Sequence, residues 1–462
     1  MYKKILALTL AISMVFAAGC GKKAPPPSSE IVPTDGASAA SAEKPVTIQV
    51  CVTDDSEDWL KDVIEAYKAV KPNVTVDTVV LSGSSSDKQA KMTMMMQSPQ
   101  TCPDIMKEDG FKINADAAAG FLTPLDDLVA GWDEWDQFYE NVQEMGRAVD
   151  GKIYAIPMTV DVLGLWYDKV LLKEAGITIP FEPKSWQDVL DAALKIKALN
   201  KKDVTPYFIT TAKTFPERAS MRLFQPLYNG TNHSIYDAAT GKWTINKEAF
   251  LQVCDYVNTI CNVEKIAPPL DLGVQNQVET ILQQEMMKEH KVGIWLSGNW
   301  MCRKWAEDGE YAWPNVTEEI GFAKIPTQNG QDPKFTSMSG GWTLTIPQNA
   351  KNKEEAAEFI KFMANKENYL KMALMTGELT VRKDVAADAA YADPSRLYIK
   401  EASEILEFTK FRPSVDVYSQ VSLLCTEAME SIGMGAATPE QAYKTFVEAL
   451  ERTVGKDNML LD

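Results

Sequence analysis

Beginning at Val46 the chain switches repeatedly between two hydrophobic periods, and that alternation admits few architectures. Val46 to Val52 (VTIQVCV) is an apolar, β-branched run that suits a buried strand. The polar TDDSED after it leads into Leu60, Val63, Ile64 and Tyr67, spaced as one face of a helix. KPN ends that helix. Val74, Val76 and Val80 mark a second strand, Ser82 to Ser86 a loop of small residues, Asp87 to Gln97 a methionine-rich helix, and PDIM a third strand. Strand, helix, strand, helix, strand is the order of an α/β domain with a mostly parallel sheet.

Helix starts recur further along. Ser185 precedes WQDVLDAALKI as an N-cap, and Asn352 precedes KEEAAEFIKFM with Glu355 placed to complete a capping box. Thr438, Pro439 and Gln441 supply an N-cap, a proline at the first helical position and a capping-box partner. Phe359, Ile360 and Met363 form one apolar stripe, which reads as core.

The opening of the chain fixes a compartment. Lys3 and Lys4 precede an uncharged apolar run from Ile5 to Phe16, and the small residues Ala17, Ala18 and Gly19 precede Cys20. The run is shorter than the roughly 20 residues of a membrane span and fits a secretory signal, so residues 1–19 are expected to be removed. A cysteine directly after a small-residue cleavage site resembles the lipobox of bacterial lipoproteins, with Ala17 where Leu is commonest; the resemblance implies that Cys20 becomes the lipidated first residue. Residues 20–44 are rich in proline, serine and alanine and cannot bury a core, which makes them a disordered tether above the membrane.

About 420 residues follow, enough for two domains. Lys and Arg number 47 against 64 Asp and Glu, a formal charge of −17, and this argues against a nucleic-acid partner. The six later cysteines, Cys51, Cys102, Cys254, Cys261, Cys302 and Cys425, show no CxxC pair and read as mostly buried free thiols. With two histidines in the chain, His233 and His290, no metal site is expected, and nothing calls for a cofactor.

Five segments in fixed order resemble one family. DGKIYAIPMTVDVLGLWYDKVLLKEAGI with SWQDVLDAALKI, then KVGIWLSGNW, GFAKIPTQNG, GGWTLTIPQNAKNKEEAAEFIKFMANKE and GELTVRKDV are similar to the extracellular solute-binding proteins of sugar ABC transporters. Asp168 stands where that family usually has Asn, at a position expected to be structural. The resemblance implies a two-lobed, periplasmic-binding-protein-like fold of type II, α/β, each lobe a mostly parallel sheet flanked by helices. Residues 45–158 plus 322–375 would form one lobe and 159–321 plus 376–462 the other. The chain would cross near Ile156 to Val160 and near Lys324 to Pro326, with closure on binding. It also implies a monomer, anchored by lipid to the outer face of the bacterial cell membrane, that delivers a sugar to ABC permease subunits and is not an enzyme.

A sugar offers hydroxyls at its edges and C–H patches on its faces, so its site needs polar acceptors beside flat aromatic side chains. Trp300, in SGNW, matches the position where an aromatic stacks on a sugar ring. Trp342 follows Gly340 and Gly341 at a strand start, and Tyr418, in FRPSVDVYSQ, falls where the family supplies an aromatic lid. Asp161 lies just past the crossing at Pro157, with a hinge salt bridge as the other reading. Asp109, Asp54 and Asp55 follow strand ends, where α/β sheets place ligand loops and where carboxylates otherwise serve as solvated caps. Arg382, in TVRKDV, is expected either to grip vicinal hydroxyls or to clamp the lobes, and Glu217, in TFPERAS, to face the cleft. Two rivals stand beside this reading: a secreted glycosidase, which would need two carboxylates at catalytic separation, and a binding protein for another small solute such as a polyamine.

Overall fold

The apolar runs become strands and the periodic segments helices in a computed structural model that describes residues 44–461 apart from 84, 215, 276, 394 and 395. The signal, Cys20 and tether assignments lie outside the described residues. Val46–Thr53 pairs in parallel with Val74–Leu81 on one side and with Ile105–Asp109 on the other. Trp342–Thr345 joins antiparallel beside Ile105–Asp109, and Ala155–Pro157 completes this first sheet of five strands. A second sheet orders Ile320–Ala323, Leu163–Asp168, Val292–Gly298 and Thr205–Phe208.

Both sheets are mixed. The parallel expectation holds where helices connect successive strands, at Val46–Thr53 with its two neighbours and at Thr205–Phe208 with Val292–Gly298. Ladders made by segments that arrive from the other sheet are antiparallel. Such a strand needs no crossover helix and is free to run against its neighbour.

The helix Glu57–Val70 buries Trp59, Leu60, Val63, Ile64 and Tyr67, and Tyr67 meets Phe359 of the helix Lys353–Met363 with ring centroids 4.7 Å apart. The opposite face of the first sheet packs Cys51, Met92, Met96 and Met106. On the second sheet, Trp166 meets Trp305 edge to face at 5.3 Å, while Leu165 and Tyr167 turn to the other side, against Trp186 and Ile196. Met158, Val160 and Val162, between the sheets, belong to the same apolar cluster as Ile48 and Trp166, so the core continues through the crossing.

The caps divide. Ser185 Oγ accepts from the Asp188 amide at 3.2 Å, and Thr438 and Gln441 form the reciprocal box. Asn352 does not cap with Glu355. Its amide group donates to Thr47 and Asp104, and Asp104 Oδ1 takes the Asn352 backbone N–H at 2.9 Å, tying the helix start to the sheet edge instead. Asp168 is structural: it caps Leu171 at 2.8 Å and holds His290 Nδ1 at 2.7 Å. Cys51, Cys102, Cys254, Cys261, Cys302 and Cys425 are free thiols, all buried except the half-buried Cys261. Among the described residues no helix is long and apolar enough to cross a membrane.

Candidate functional site

Where the first sheet ends its central strands, polar side chains converge on the crossing to the second. Asp109 closes the strand Ile105–Asp109 and lies opposite Trp342 in the ladder. Arg412, from the late segment after Phe411, donates to Asp109 at 2.6 Å and to Glu217 at 3.1 Å. Its guanidinium lies over the Phe111 ring at 4.2 Å and is 8% exposed. Burial raises the Asp109 carboxyl, Arg412 lowers it, and Glu217 and Asp161 raise it again, to about 6. Both acids hold the Arg412 proton above its ordinary range despite burial.

Asp161 accepts the Gly340 N–H at 2.7 Å, and burial raises its carboxyl in spite of that bond. A Cβ on Gly340 would lie 2.8 Å from Arg412 Nη2 and 3.2 Å from Asp161 Oδ2, so any side chain there would push these two groups from their present places. A cavity of about 120 Å³ opens here, lined by Phe111, Met145, Gly340, Gly341, Arg412 and Ser414.

A second cluster flanks the first. Lys107, buried in its strand, donates to Thr53 at 2.9 Å, Asp55 at 2.9 Å and Ser56 at 2.7 Å, and lies 4.6 Å from the Trp342 ring centroid. Burial pulls the Asp55 carboxyl up, but Lys107 and the Thr53 hydroxyl bring it down to about 2. Asp54 turns outward to Lys88 at 2.5 Å.

Trp300 supplies a third face. A Cβ on Gly298 would fall 1.8 Å from its ring, so the indole lies flat on that glycine. Arg222 covers it at 4.9 Å, held with Arg218 by Glu279. Asn299 Oδ1 accepts the Val162 N–H at 2.9 Å, fixing the turn before Trp300 to the crossing.

The structure thus gathers Asp55, Asp109, Asp161, Glu217 and Trp342, with Trp300 joined through Arg222, whose charge acts on Asp161. Asp54 is peripheral. Arg382 does not reach the cleft: fully buried, it donates to Asp384 at 2.9 and 2.7 Å, to the Ala364 carbonyl at 2.7 Å and to Glu134 at 2.8 Å, over Phe138. Each of its terminal nitrogens is engaged, so it is a fastening and offers nothing to a ligand. Tyr418 is buried rather than a lid. Its hydroxyl accepts from Gln225 at 2.9 Å, and its ring braces Phe111 edge-on at 5.5 Å, beneath Arg412.

Lys107, Arg222, Glu378 and Arg412 were not singled out from sequence. A lysine inside the wholly buried strand IMKED is a legible signal, because a buried charge demands partners. Arg412 stands in the segment FRPSVDVYSQ that was read for its tyrosine, and Glu378 in GELTVRKDV. Among the described residues no group of three or more His, Cys, Asp or Glu side chains could hold a metal ion.

Known proteins share this fold. The galactooligosaccharide-binding protein of Bacillus subtilis is 21% identical over 447 residues, 96% of this chain and 95% of that protein. The melibiose/raffinose/stachyose-binding protein MelE of the same organism is 24% identical over 371 residues, 78% of this chain and 80% of its own. Among solved structures, the GacH receptor of Streptomyces glaucescens superposes with a TM-score of 0.74 at 20% identity, covering 90% of this chain and 100% of that one. Maltose-bound MalE3 of T. maritima gives 0.74 at 20% identity, covering 88% and 99%. These likenesses make the fold that of the two-lobed, type II periplasmic binding proteins. A sequence profile of bacterial extracellular solute-binding proteins matches residues 53–369, more than half of the chain, and it is to that family that this protein belongs.

Proposed function

We propose that this protein captures a saccharide outside the cell and delivers it to the permease subunits of an ABC importer. The observation that carries the reading is the cleft itself, where Asp109 from the end of the first sheet, Asp161 from the crossing and Glu217 from a helix gather with two tryptophans. The relatives named for galactooligosaccharides and for melibiose, raffinose and stachyose support the ligand class. Carboxylates accept sugar hydroxyls, and indole faces take the C–H patches of a ring. Asp109 and Glu217 are both tied to Arg412, which favours binding over hydrolysis.

The moving bodies in this reading are residues 45–158 plus 322–375 and residues 159–321 plus 376–462, with hinges near Ile156 to Val160 and near Lys324 to Pro326. The protein acts as a monomer, tethered through acylated Cys20. Thermal-shift screening against mono- and oligosaccharides tests capture, since a ligand of the folded state stabilises it by RT ln(1 + [L]/Kd). X-ray scattering should show a smaller radius of gyration with a stabilising sugar. No stabilisation by any sugar, together with an unchanged profile, would remove the reading. Cys20→Ser should abolish incorporation of labelled fatty acid, and equal labelling of wild type and variant would sink the anchor.

A further inference from the structure

Gly377 ends the helix Lys366–Thr376 in the left-handed conformation, at φ 67°, and releases the chain into an extended step at Glu378 and Leu379. There it meets the crossing segment. Val160 and Leu379 exchange both backbone hydrogen bonds as an antiparallel bridge, at 3.4 and 3.2 Å. In that register Asp161 stands opposite Glu378, and both side chains leave the face that Val160 and Leu379 do not use. Val160 and Leu379 belong to the apolar core, and the carboxylates leave the opposite face, where Asp161 takes the Gly340 N–H and where Asp55 and Lys107 stand close enough to act on Glu378. Directly opposed side chains have Cβ atoms about 5 Å apart, and like charges there repel.

The surrounding cations are already spent. Lys107 is held by Asp55, Thr53 and Ser56. Arg412 carries two carboxylates, Asp109 and Glu217, while Arg218 and Arg222 share one, Glu279. Those two groups offset each other. Among the described residues, what remains is the pair Asp161 and Glu378, neither of which forms an ion pair, although Arg412 and Arg222, already paired elsewhere, lower the Asp161 carboxyl. Glu378 Oε2 is moreover sealed from solvent and receives no hydrogen bond. Burial, then Asp161 and Asp55, raise the Glu378 carboxyl well above its ordinary range, with Lys107 opposing, as two opposed carboxyl groups short of a cation require.

A neutral sugar can donate hydroxyls to this pair but leaves its charge uncancelled. An ammonium brings up to three N–H donors and the missing positive charge together. An anionic head group would meet the surplus carboxylates unfavourably. The Trp342 indole beside this cluster calls for a ring, which a linear polyamine lacks. We propose that this cleft selects a saccharide carrying a protonated amino group, with the ammonium seated between Asp161 and Glu378. The proposal rests on the reading that the cleft takes a saccharide.

Calorimetry at pH 7 with three probes of one size, the β-1,4 dimer of glucosamine, its N-acetylated form and cellobiose, separates the two claims, with spermidine as a ringless amine. The glucosamine dimer should bind at least tenfold tighter than either neutral dimer and tighter than spermidine. Its binding should release protons, seen as a heat that depends on the ionisation enthalpy of the buffer. Glu378→Gln and Asp161→Asn should each shrink the preference for the amine towards unity, and should one variant fail to fold, the other carries the test. Equal or tighter binding of the neutral dimers, or of spermidine, overturns the amine proposal. In the first case saccharide capture stands. No binding by any of the three dimers, with no sugar stabilising the protein in the wider screen, overturns the capture reading and this proposal with it.

Discussion

Arg412 is the group whose removal the structure prices most directly. Its side chain is 8% exposed and Asp109 is 11% exposed, so the pair at 2.6 Å is nearly dry, and Glu217 at 3.1 Å adds a second carboxylate. Arg412→Met keeps an unbranched chain over Phe111 and deletes the charge together with the donors to Asp109 and Glu217. Breaking a buried pair from one side costs about 3–5 kcal/mol, because the partner is left charged and unpaired. Here the protein has an escape. Asp109 already titrates near 6 with Arg412 present, and without it the carboxyl moves higher. A carboxyl raised above its unfolded value, about 3.9, contributes stability at low pH that is lost as pH rises through the folded value. The deficit of the variant should therefore shrink by about 1–2 kcal/mol between pH 7.5 and pH 5.5, where a proton replaces the arginine. Urea unfolding of the ligand-free protein at both pH values measures this. A deficit of the same size at both would show a packing loss, and a deficit under about 1 kcal/mol at pH 7.5 would show the pair to be solvated. Either result refutes the argument.

Glu378→Gln should stabilise the ligand-free protein at pH 7, since a carboxyl raised above its ordinary range loses stability as pH rises and its amide does not. That gain should fade as the pH is lowered towards 4, where the wild-type carboxyl is protonated in any case; a lower melting temperature for the variant at pH 7 would show that Glu378 is paired after all. Trp300→Ala should weaken sugar binding by more than the roughly 0.5–1.5 kcal/mol of an aromatic contact, because apolar area is lost as well. Its stability should fall by less than the about 3–5 kcal/mol of deleting a core tryptophan, and calorimetry beside denaturant unfolding separates the two. Unchanged affinity with a large stability loss would make Trp300 core.

The legible and the illegible parts of this protein differ by a physical criterion. Periodicity reports which face a residue buries, and it located the helix from Glu57 to Val70 and the strands around it because burial is decided within a few residues. It could not decide Arg382 against Arg412. Both follow an apolar or β-branched residue in an extended stretch, yet one is enclosed by Asp384, Ala364 and Glu134 while the other faces the cleft. An arginine's role is set by which carboxylates reach it, and Asp109 and Glu217 are 303 and 195 residues from Arg412 along the chain. The same limit hid Glu378, whose significance depends on standing across a two-residue bridge from Asp161. Asn352 shows the converse failure. Its local capping pattern was sound, but Asp104 took the backbone N–H that Glu355 would have accepted, and the Asn352 side-chain NH2 turned to the Thr47 carbonyl and Asp104 at the sheet edge beside the helix start. Local signals therefore hold where no distant polar group intrudes. Cleft residues are those for which a distant group does intrude, so sequence located the ends of the strands that carry the site more securely than the side chains that complete it.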